Sequence, residues 1–241
     1  MTWWESWFGE EYLELYPHRD LASARREVSF ALARLGPEPM PILDLACGAG
    51  RHSLRFEEKG FPPVGLDYSA PLLELARARG ETLRLVRGDM RALPFGDGAF
   101  RSVVNFFTSF GYFLREADNT AVVGEIERVL ERGGRFLCDT FGRDYAVSRL
   151  VPEESRATDE REYRIRRWWN AETRRVEKEI EVRRGGSTMT FRESVRAYTA
   201  EELCAMFRKA GLAVEQTWGD FEGGPAGSEA PRLIVLARKP C

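Results

Sequence analysis

Three carboxylates and one glycine-rich turn are the groups in this chain that are best suited to bind a ligand. The stretch ILDLACGAGRHS, residues 42–53, places Asp44 shortly before Gly48 and Gly50. Glycines leave room for a ligand to approach the backbone, and the N–H groups of a following helix point at that ligand. The stretch therefore predicts a cofactor-binding loop, with a tight strand-to-helix turn as the alternative.

The other two carboxylates follow the next two apolar runs. Asp67 ends the run PVGLD, where a carboxylate can accept hydrogen bonds from the two hydroxyls of a ribose. Asp89 and Met90 follow TLRLV, where the acid could accept from an adenine amino group and the methionine could pack on the ring. The alternative role of Asp67 is to cap the helix that begins at Ser69. The alternative at Asp89 is an ordinary turn. Three acids at successive strand ends favour a ligand site, since open α/β sheets bind ligands there.

Alternating apolar and amphipathic runs predict the elements that position these residues. The rhythm indicates an α/β fold, a doubly wound and mostly parallel sheet with helices on both faces. Strands are predicted at 42–46, 63–67, 82–86, 102–107, 135–139, 213–218 and 233–237, and helices at 21–35 with Asp20 as cap, at 51–59, after Ser69 with Pro71 in its first turn, at 119–130, and from a capping box at 199–202.

Between the fifth strand and the last helix the pattern changes to period two. The segment from 162 to 193 predicts a three-stranded antiparallel insert. We therefore divide a single domain into a helical cap (1–36), a cofactor-binding core (37–141), the insert as a lid or a dimerisation surface (142–198) and a C-terminal part (199–241). From Arg156 to Arg196 there are 12 Lys or Arg and 8 Asp or Glu, a local charge of 12 − 8 = +4. This charge favours an anionic acceptor or RNA, whereas Arg–Glu pairing across the strands is the alternative.

Composition narrows the class of protein further. Lys plus Arg number 36 and Asp plus Glu 38, so the net charge of −2 offers no general attraction for a polyanion, and no DNA partner is expected. The four cysteines form no CxxC pair, which argues against a metal site and a disulfide framework. No stretch approaches the roughly 20 apolar residues that span a bilayer. We expect a cytoplasmic protein without a membrane segment.

These motifs together resemble those of the class I S-adenosylmethionine-dependent methyltransferases. DLACGAG at 44–50 resembles the first motif of that family, and LERGG at 130–134 resembles the turn before its fifth strand. The resemblance implies a seven-stranded sheet whose last strand is antiparallel, and S-adenosylmethionine as cofactor. It also implies that Asp44 lies near the methionine amino group, that Asp67 binds ribose, and that Asp89 and Met90 contact adenine. The full implied cofactor set is Asp44, Ala46, Gly48, Gly50, Asp67, Tyr68, Asp89, Met90 and Asn105.

A dehydrogenase is the nearest rival in fold, but its G-x-G-x-x-G fingerprint does not fit. When the fingerprint is aligned on Gly48, its last glycine position holds Ser53, and shifting the frame puts Ala46 at its first glycine position.

A sulfonium methyl is a strong electrophile, so methyl transfer mainly needs an acceptor lone pair in line with the carbon–sulfur bond. His18, His52 and Tyr112 are candidates for a catalytic group.

The acceptor is the least determined part of the function. The aromatic cluster Phe106, Phe107, Phe110, Tyr112 and Phe113 could wall an acceptor pocket or belong to the core. We expect in-line methyl transfer to a small molecule, anionic or aromatic, by a monomer or homodimer. The alternatives are an RNA methyltransferase and a protein that binds S-adenosylmethionine without turnover.

Overall fold

The computed structural model describes residues 3–16, 21–36, 41–80, 82–158 and 160–241, so His18 and Asp20 lie outside the described residues. The helices are α1 (Trp3–Trp7), α2 (Glu10–Leu15), α3 (Leu21–Leu35), α4 (Arg51–Glu58), α5 (Ala70–Arg79), α6 (Glu116–Val129), α7 (Arg143–Ser148) and α8 (Ala200–Lys209). The strands are β1 (Ile42–Leu45), β2 (Val64–Asp67), β3 (Arg84–Arg87), β4 (Phe100–Asn105), β5 (Leu130–Phe141), β6 (Glu153–Ala157), β7 (Glu162–Asn170), β8 (Arg175–Arg184), β9 (Ser187–Arg196), β10 (Ala213–Trp218) and β11 (Arg232–Arg238).

Seven strands form the main sheet, in the order β10-β11-β5-β4-β1-β2-β3. β1 pairs in parallel with both β2 and β4, and β4 pairs in parallel with β5. β11 runs antiparallel to both of its neighbours, β5 and β10. The predicted doubly wound sheet with an antiparallel last strand is confirmed. Because β1, β2 and β4 are parallel, their carboxyl ends meet at one edge of the sheet.

Two hydrophobic clusters cover the two faces of this sheet. Successive residues of one strand point to opposite faces, so Leu43 and Val103 join one cluster while Ile42 and Val104 join the other. Helices α6 and α8 complete the first cluster through Val122, Ile126 and Phe207. Helices α3 and α4 complete the second through Val28, Ala31 and Phe56. Each of these helices therefore buries an apolar face against the sheet.

Several boundaries differ from the sequence prediction. β4 ends at Asn105, two residues early, because Phe107 and Thr108 adopt left-handed backbone conformations with φ of 60° and 64°. α6 begins at Glu116 rather than 119, with acidic residues in its first turn, which the helix dipole favours. The predicted turn at 130–134 is instead an irregularity inside β5, where the pairing with β4 shifts register.

The insert is a second, antiparallel sheet of four strands in the order β6-β7-β8-β9. The three predicted strands are present as β7, β8 and β9, and the prediction missed β6. The additional strand β6 has the sequence EESRA and is mostly exposed. It carries no alternation of apolar and polar residues, and backbone pairing with β7 defines it. A period-two pattern finds strands with one buried face, and β6 has none.

The N-terminal helices pack against this insert. A third cluster joins Trp7 and Leu15 to Tyr163, Ile165 and Ile180. The capping box at Thr199 and Glu202 and the cap at Ser69 are both present as predicted. Among the helices described, none is both long and apolar enough to cross a bilayer.

Asn119 ties α6 to the loop that follows β4. Its buried amide donates to the carbonyl of Phe113 at 2.9 Å and accepts from the backbone N–H of the same residue at 3.3 Å. We expect Asn119→Ala to lower the free energy of unfolding by about 2 to 4 kcal/mol, because each buried group left without a partner costs about 1 to 3 kcal/mol. Urea denaturation measures the free energy of unfolding. Thr120→Ala is the control, since that hydroxyl bonds only within the helix; equal effects of the two would contradict the prediction.

Candidate functional site

A cavity lies at the carboxyl ends of β1, β2 and β4. Of the residues predicted to bind the cofactor, its lining includes Ala46, Gly48, Asp67, Tyr68, Asp89 and Met90. Asp44, Gly50 and Asn105 are not among the lining residues. His52 and Tyr112, two of the candidate catalytic residues, also line the cavity. The third, His18, lies outside the described residues.

Asp67, the last residue of β2, presents a carboxylate that is partly satisfied by the backbone. One oxygen accepts from the N–H of Gly48 and the other from the N–H of Ser69, both at 2.8 Å. Each carboxylate oxygen has a second lone pair, so the group can still accept from two neighbouring hydroxyls. Burial raises the pKa of Asp67 and the two backbone bonds oppose that rise. The geometry suits a vicinal diol.

The glycine loop leaves β1 through three left-handed residues, Ala46, Gly48 and Gly50, with φ of 59°, 55° and 75°. Gly48 lines the cavity, so its backbone is open to a ligand. Gly50 precedes α4, and a Cβ there would lie 3.0 Å from the Cβ of Ala76. Gly48 therefore allows a close approach of a ligand, whereas Gly50 allows α4 and α5 to pack closely.

Asp44 lies beneath this loop. It is 1% exposed and accepts a 2.6 Å hydrogen bond from the hydroxyl of Ser53. Burial raises its pKa to about 6, while the Ser53 bond and the positive charge of Arg51 lower it. Asn105 plays a similar part at the end of β4, where its amide donates to the carbonyl of Leu45 at 2.8 Å. Asp44 and Asn105 therefore hold the strand ends in position below the cavity.

Another part of the cavity wall is formed by Gly88, Asp89 and Met90, with Leu66. The carboxylate of Asp89 is held by the guanidinium of Arg91 at 2.6 Å and by its backbone N–H at 2.8 Å. Burial raises the pKa of Asp89, but these bonds outweigh it and bring the pKa below its ordinary value. An ionised acceptor beside an apolar surface suits the edge and face of an adenine ring.

Aromatic side chains form a large part of the cavity wall. They come from the N-terminal helices and from the loop after β4, and they are Trp4, Phe8, Tyr12, Tyr16, Phe106, Phe107, Tyr112 and Phe113. Phe8 stacks on Tyr112 with ring centroids 5.7 Å apart. Phe107 holds its left-handed conformation because its N–H donates to Asp139 at 2.8 Å, and Arg232 holds that buried acid at 2.7 Å. Strained backbone of this kind persists only where its surroundings enforce it.

The insert holds this wall in place through the buried Arg175 and the half-buried Glu193. Arg175 of β8 donates to the carbonyls of Gly111, Tyr112 and Phe113 at 3.0 to 3.1 Å. Glu193 of β9 accepts from Trp7 at 2.5 Å and from Tyr16 at 2.9 Å, and Lys178 contacts Tyr16 as well. The insert thus supports the wall from outside the cavity.

The charges of the insert are largely paired with each other. Arg166 and Arg192 both contact Glu179, and Arg167 contacts Glu154 at 2.8 Å. Arg164 pairs with Glu153 at 2.5 Å. Two of these carboxylates belong to β6, at positions that precede the segment with the +4 charge. The local excess of positive charge is thus no measure of an open basic surface.

Sequence reasoning missed several residues of the site. Phe8, Tyr12 and Tyr16 recur every four residues, a helical spacing that could have marked one face of the N-terminal segment. Glu27, which pairs with His52 at 2.5 Å, sits in an ordinary amphipathic helix and gives no sequence signal. Arg175 and Glu193 are hidden among the many charges of the insert.

Asp67→Ala should weaken binding of S-adenosylhomocysteine by about 10- to 100-fold. The reason is that two hydrogen bonds to a charged group, worth about 1.5 to 3 kcal/mol each, are lost and then partly replaced by water. Isothermal titration calorimetry measures the affinity. Asp144→Ala, an exposed acid paired with its neighbour Arg143, is the matched control. Unchanged affinity in the Asp67 variant would contradict the placement of ribose at this carboxylate.

The buried Asp44 should make stability depend on pH. Its pKa is about 6 in the folded chain against an ordinary 3.8, so between about pH 4 and 6 the unfolded chain loses this proton first. The folded state is then destabilised as pH rises, by about 2 to 3 kcal/mol in total. Asp44→Asn cannot ionise and its amide oxygen can still accept from Ser53.

We therefore expect the stability of the Asp44→Asn variant relative to wild type to rise by that amount between pH 4 and 7. Urea denaturation across this range measures the difference, and Asp144→Asn serves as an exposed control. A constant difference between Asp44→Asn and wild type at all pH values would show that Asp44 ionises normally.

Comparison with known proteins agrees with this geometry. The family model described as a methyltransferase domain matches residues 42–134, from β1 into β5. A demethylmenaquinone methyltransferase of Streptomyces avermitilis is 31% identical over 203 residues, covering 83% of this chain and 78% of that protein. The dTDP-3-amino-3,4,6-trideoxy-alpha-D-glucopyranose N,N-dimethyltransferase of Streptomyces venezuelae is 28% identical over 218 residues, covering 87% and 89%.

Among solved structures, the CcbJ methyltransferase of Streptomyces caelestis superposes with a TM-score of 0.83 at 20% identity, over 98% of this chain and 99% of that one. This likeness shows that the two chains share a fold, with the N-terminal helices and the insert included in the superposition. The sheet order, the glycine loop and the relatives lead to one conclusion: the chain belongs to the class I S-adenosylmethionine-dependent methyltransferases.

Proposed function

We propose that this methyltransferase transfers the methyl group of S-adenosylmethionine to an amine nitrogen of a small molecule. The observation that carries the proposal is the aromatic wall of the cavity, which offers an apolar surface and no base suited to neutral pH. Among the described lining residues the only carboxylates are Asp67 and Asp89, which we assign to the cofactor.

We expect S-adenosylmethionine to lie in the cavity in one direction. Asp67 would bind the ribose hydroxyls, and Asp89 with Met90 would bind adenine. The backbone of Gly48, which lines the cavity, would lie against the methionine part. When bound there, the cofactor supplies an electrophilic methyl group. Asp44, Gly50 and Asn105 would then act from behind the cavity, by holding the loop and strand ends in position.

The lack of a suitable base favours nitrogen over carbon as the acceptor atom. An uncharged amine already has a lone pair, whereas an aromatic carbon must lose a proton in the course of methylation. Burial and the charge of Arg51 lower the pKa of His52 to about 4, and burial raises the pKa of the Cys47 thiol. Neither group is a base matched to neutral pH. Aromatic rings also stabilise the positive charge that a methylated amine acquires.

The relatives support a small acceptor of this kind. The Streptomyces venezuelae protein is named for dimethylation of the amine of a dTDP-linked sugar, and its match spans most of both chains. The Streptomyces avermitilis relative is named for demethylmenaquinone, which makes a quinone-type carbon the second candidate. The main argument for an RNA substrate was the positive charge of the insert, and the pairing of those charges with carboxylates removes it.

We further propose that the enzyme works in the cytoplasm. The cysteines Cys47, Cys138, Cys204 and Cys241 are all free thiols, and three of them are buried. Free thiols are typical of a reducing compartment. A monomer or a homodimer remains the prediction for its oligomeric state.

The function is tested by incubating the chain with S-adenosylmethionine and separate groups of acceptors. We expect methylated product, detected by mass spectrometry, from ring-borne amines such as amino sugar nucleotides. Reduced demethylmenaquinone analogues and transfer RNA are the comparison substrates. The Asp67→Ala chain, assayed with S-adenosylmethionine below its own dissociation constant, is the control with weakened cofactor binding. Product from the quinol or the RNA alone would overturn the proposal. Cofactor binding without product from any group would favour a protein that binds S-adenosylmethionine without turnover.

A further inference from the structure

His52 and Glu27 form a buried pair at the edge of the cavity. Nε2 of His52 lies 2.5 Å from Oε2 of Glu27, and the two side chains are 6% and 4% exposed. The imidazole also stacks on Phe106, with centroids 4.3 Å apart and an angle of 22° between the rings. One contact holds the edge of the ring and the other its face, so the orientation of the imidazole is fixed.

The charges around this pair decide which ring nitrogen carries the hydrogen. Burial and the positive charge of Arg51 lower the pKa of His52 to about 4, against the opposing effects of Glu27 and Asp139. Burial raises the pKa of Glu27, but His52, Arg51 and Arg232 bring it below its ordinary value. At neutral pH the imidazole is therefore uncharged and Glu27 is ionised. An ionised carboxylate can only accept, so Nε2 carries the hydrogen and Nδ1 keeps a lone pair.

The lone pair on Nδ1 has no hydrogen-bond donor among the described residues. Nδ1 of His52 makes no hydrogen bond to any residue in the described ranges, although His52 lines the cavity. Glu27, by contrast, belongs to α3 and is not among the lining residues. Buried acceptors in proteins nearly always have a partner, so a fixed acceptor beside a cavity is suited to a polar hydrogen of a ligand.

We propose that Nδ1 of His52 accepts a hydrogen bond from the N–H of the acceptor amine, and that Glu27 is the positioning residue for the ring. The inference rests on the proposed function, since it requires an acceptor that carries an N–H. The bond would aim the nitrogen lone pair at the methyl group, and orientation of this kind contributes strongly to rates.

The step balances without a base. The nitrogen lone pair forms the new N–C bond, and the carbon–sulfur bond breaks with its electron pair remaining on sulfur. The positive charge passes from sulfur to nitrogen, and the methylated ammonium releases its extra proton to water after it leaves. A neutral imidazole is suited to this role because it accepts a hydrogen bond without removing the proton.

The first test needs no acceptor. The chain has 2 histidines, so imidazole ¹⁵N shifts can be assigned by the signals lost in His52→Asn. At pH 7 we expect a protonated Nε2 and an unprotonated Nδ1 in His52, and a mixture of both forms in Glu27→Gln. A hydrogen on Nδ1 in the wild-type chain would overturn the inference, because that atom could not then accept.

The second test uses the amine acceptor found in the product assay. We expect His52→Leu to lower kcat about 100-fold while the affinity for S-adenosylhomocysteine changes less than about threefold. His52→Asn should recover part of kcat, because its amide oxygen lies near the position of Nδ1. Glu27→Gln, which keeps the size of the side chain, should lower kcat about tenfold and serves if His52→Leu does not fold.

The outcomes separate the inference from the function on which it rests. If His52→Leu keeps kcat within about threefold, or loses kcat and cofactor affinity in equal proportion, His52 only links α3 to α4 and the inference fails. If the wild-type chain methylates no amine, the proposed function itself fails, and product analysis of the wild type shows this independently of any variant.

Discussion

One buried hydrogen bond, from the hydroxyl of Ser53 to the carboxylate of Asp44, holds the cavity in shape. Asp44 lies within β1 and Ser53 in the first turn of α4, so the bond joins the two ends of the glycine loop. A carboxylate this deeply buried is costly unless it is satisfied. The loop that carries Gly48 therefore cannot relax without exposing or abandoning that charge. Asp67, which bonds to the backbone of Gly48, depends on the same closure.

The cavity wall is built in two different ways. The residues assigned to the cofactor come from short turns between neighbouring elements of one sheet. The aromatic wall comes from the N-terminal helices and the loop after β4, and the insert supports it through Arg175 and Glu193. The two parts of the wall are in contact, because the guanidinium of Arg91, which holds Asp89, lies 4.5 Å from the ring centroid of Phe113.

Burial determines the electrostatics of the site more than net charge does. The same surroundings that raise the pKa of Asp44 lower that of His52, because burial disfavours whichever form is charged. On the insert, where side chains are exposed, arginines and glutamates pair across neighbouring strands. The positive excess counted along the chain is largely cancelled there by carboxylates from β6.

Local sequence patterns determined the parts of this protein that depend on near neighbours. The α/β order, the glycine loop, the caps at Ser69 and Thr199 and the acids at the ends of β2 and β3 were all readable, because each rests on periodicity or on contacts within a few residues. The methyltransferase class followed from those motifs in combination.

Tertiary structure alone decided how the residues behind the cavity wall come together. Glu27 reaches His52 from another helix, Arg175 reaches the loop after β4 from the insert, and Phe107 is held in a left-handed conformation by Asp139, 32 residues away. The strand β6 was likewise invisible, since it pairs through its backbone and buries no face. Such contacts join positions far apart in the chain, and a single sequence carries no periodic signal for them.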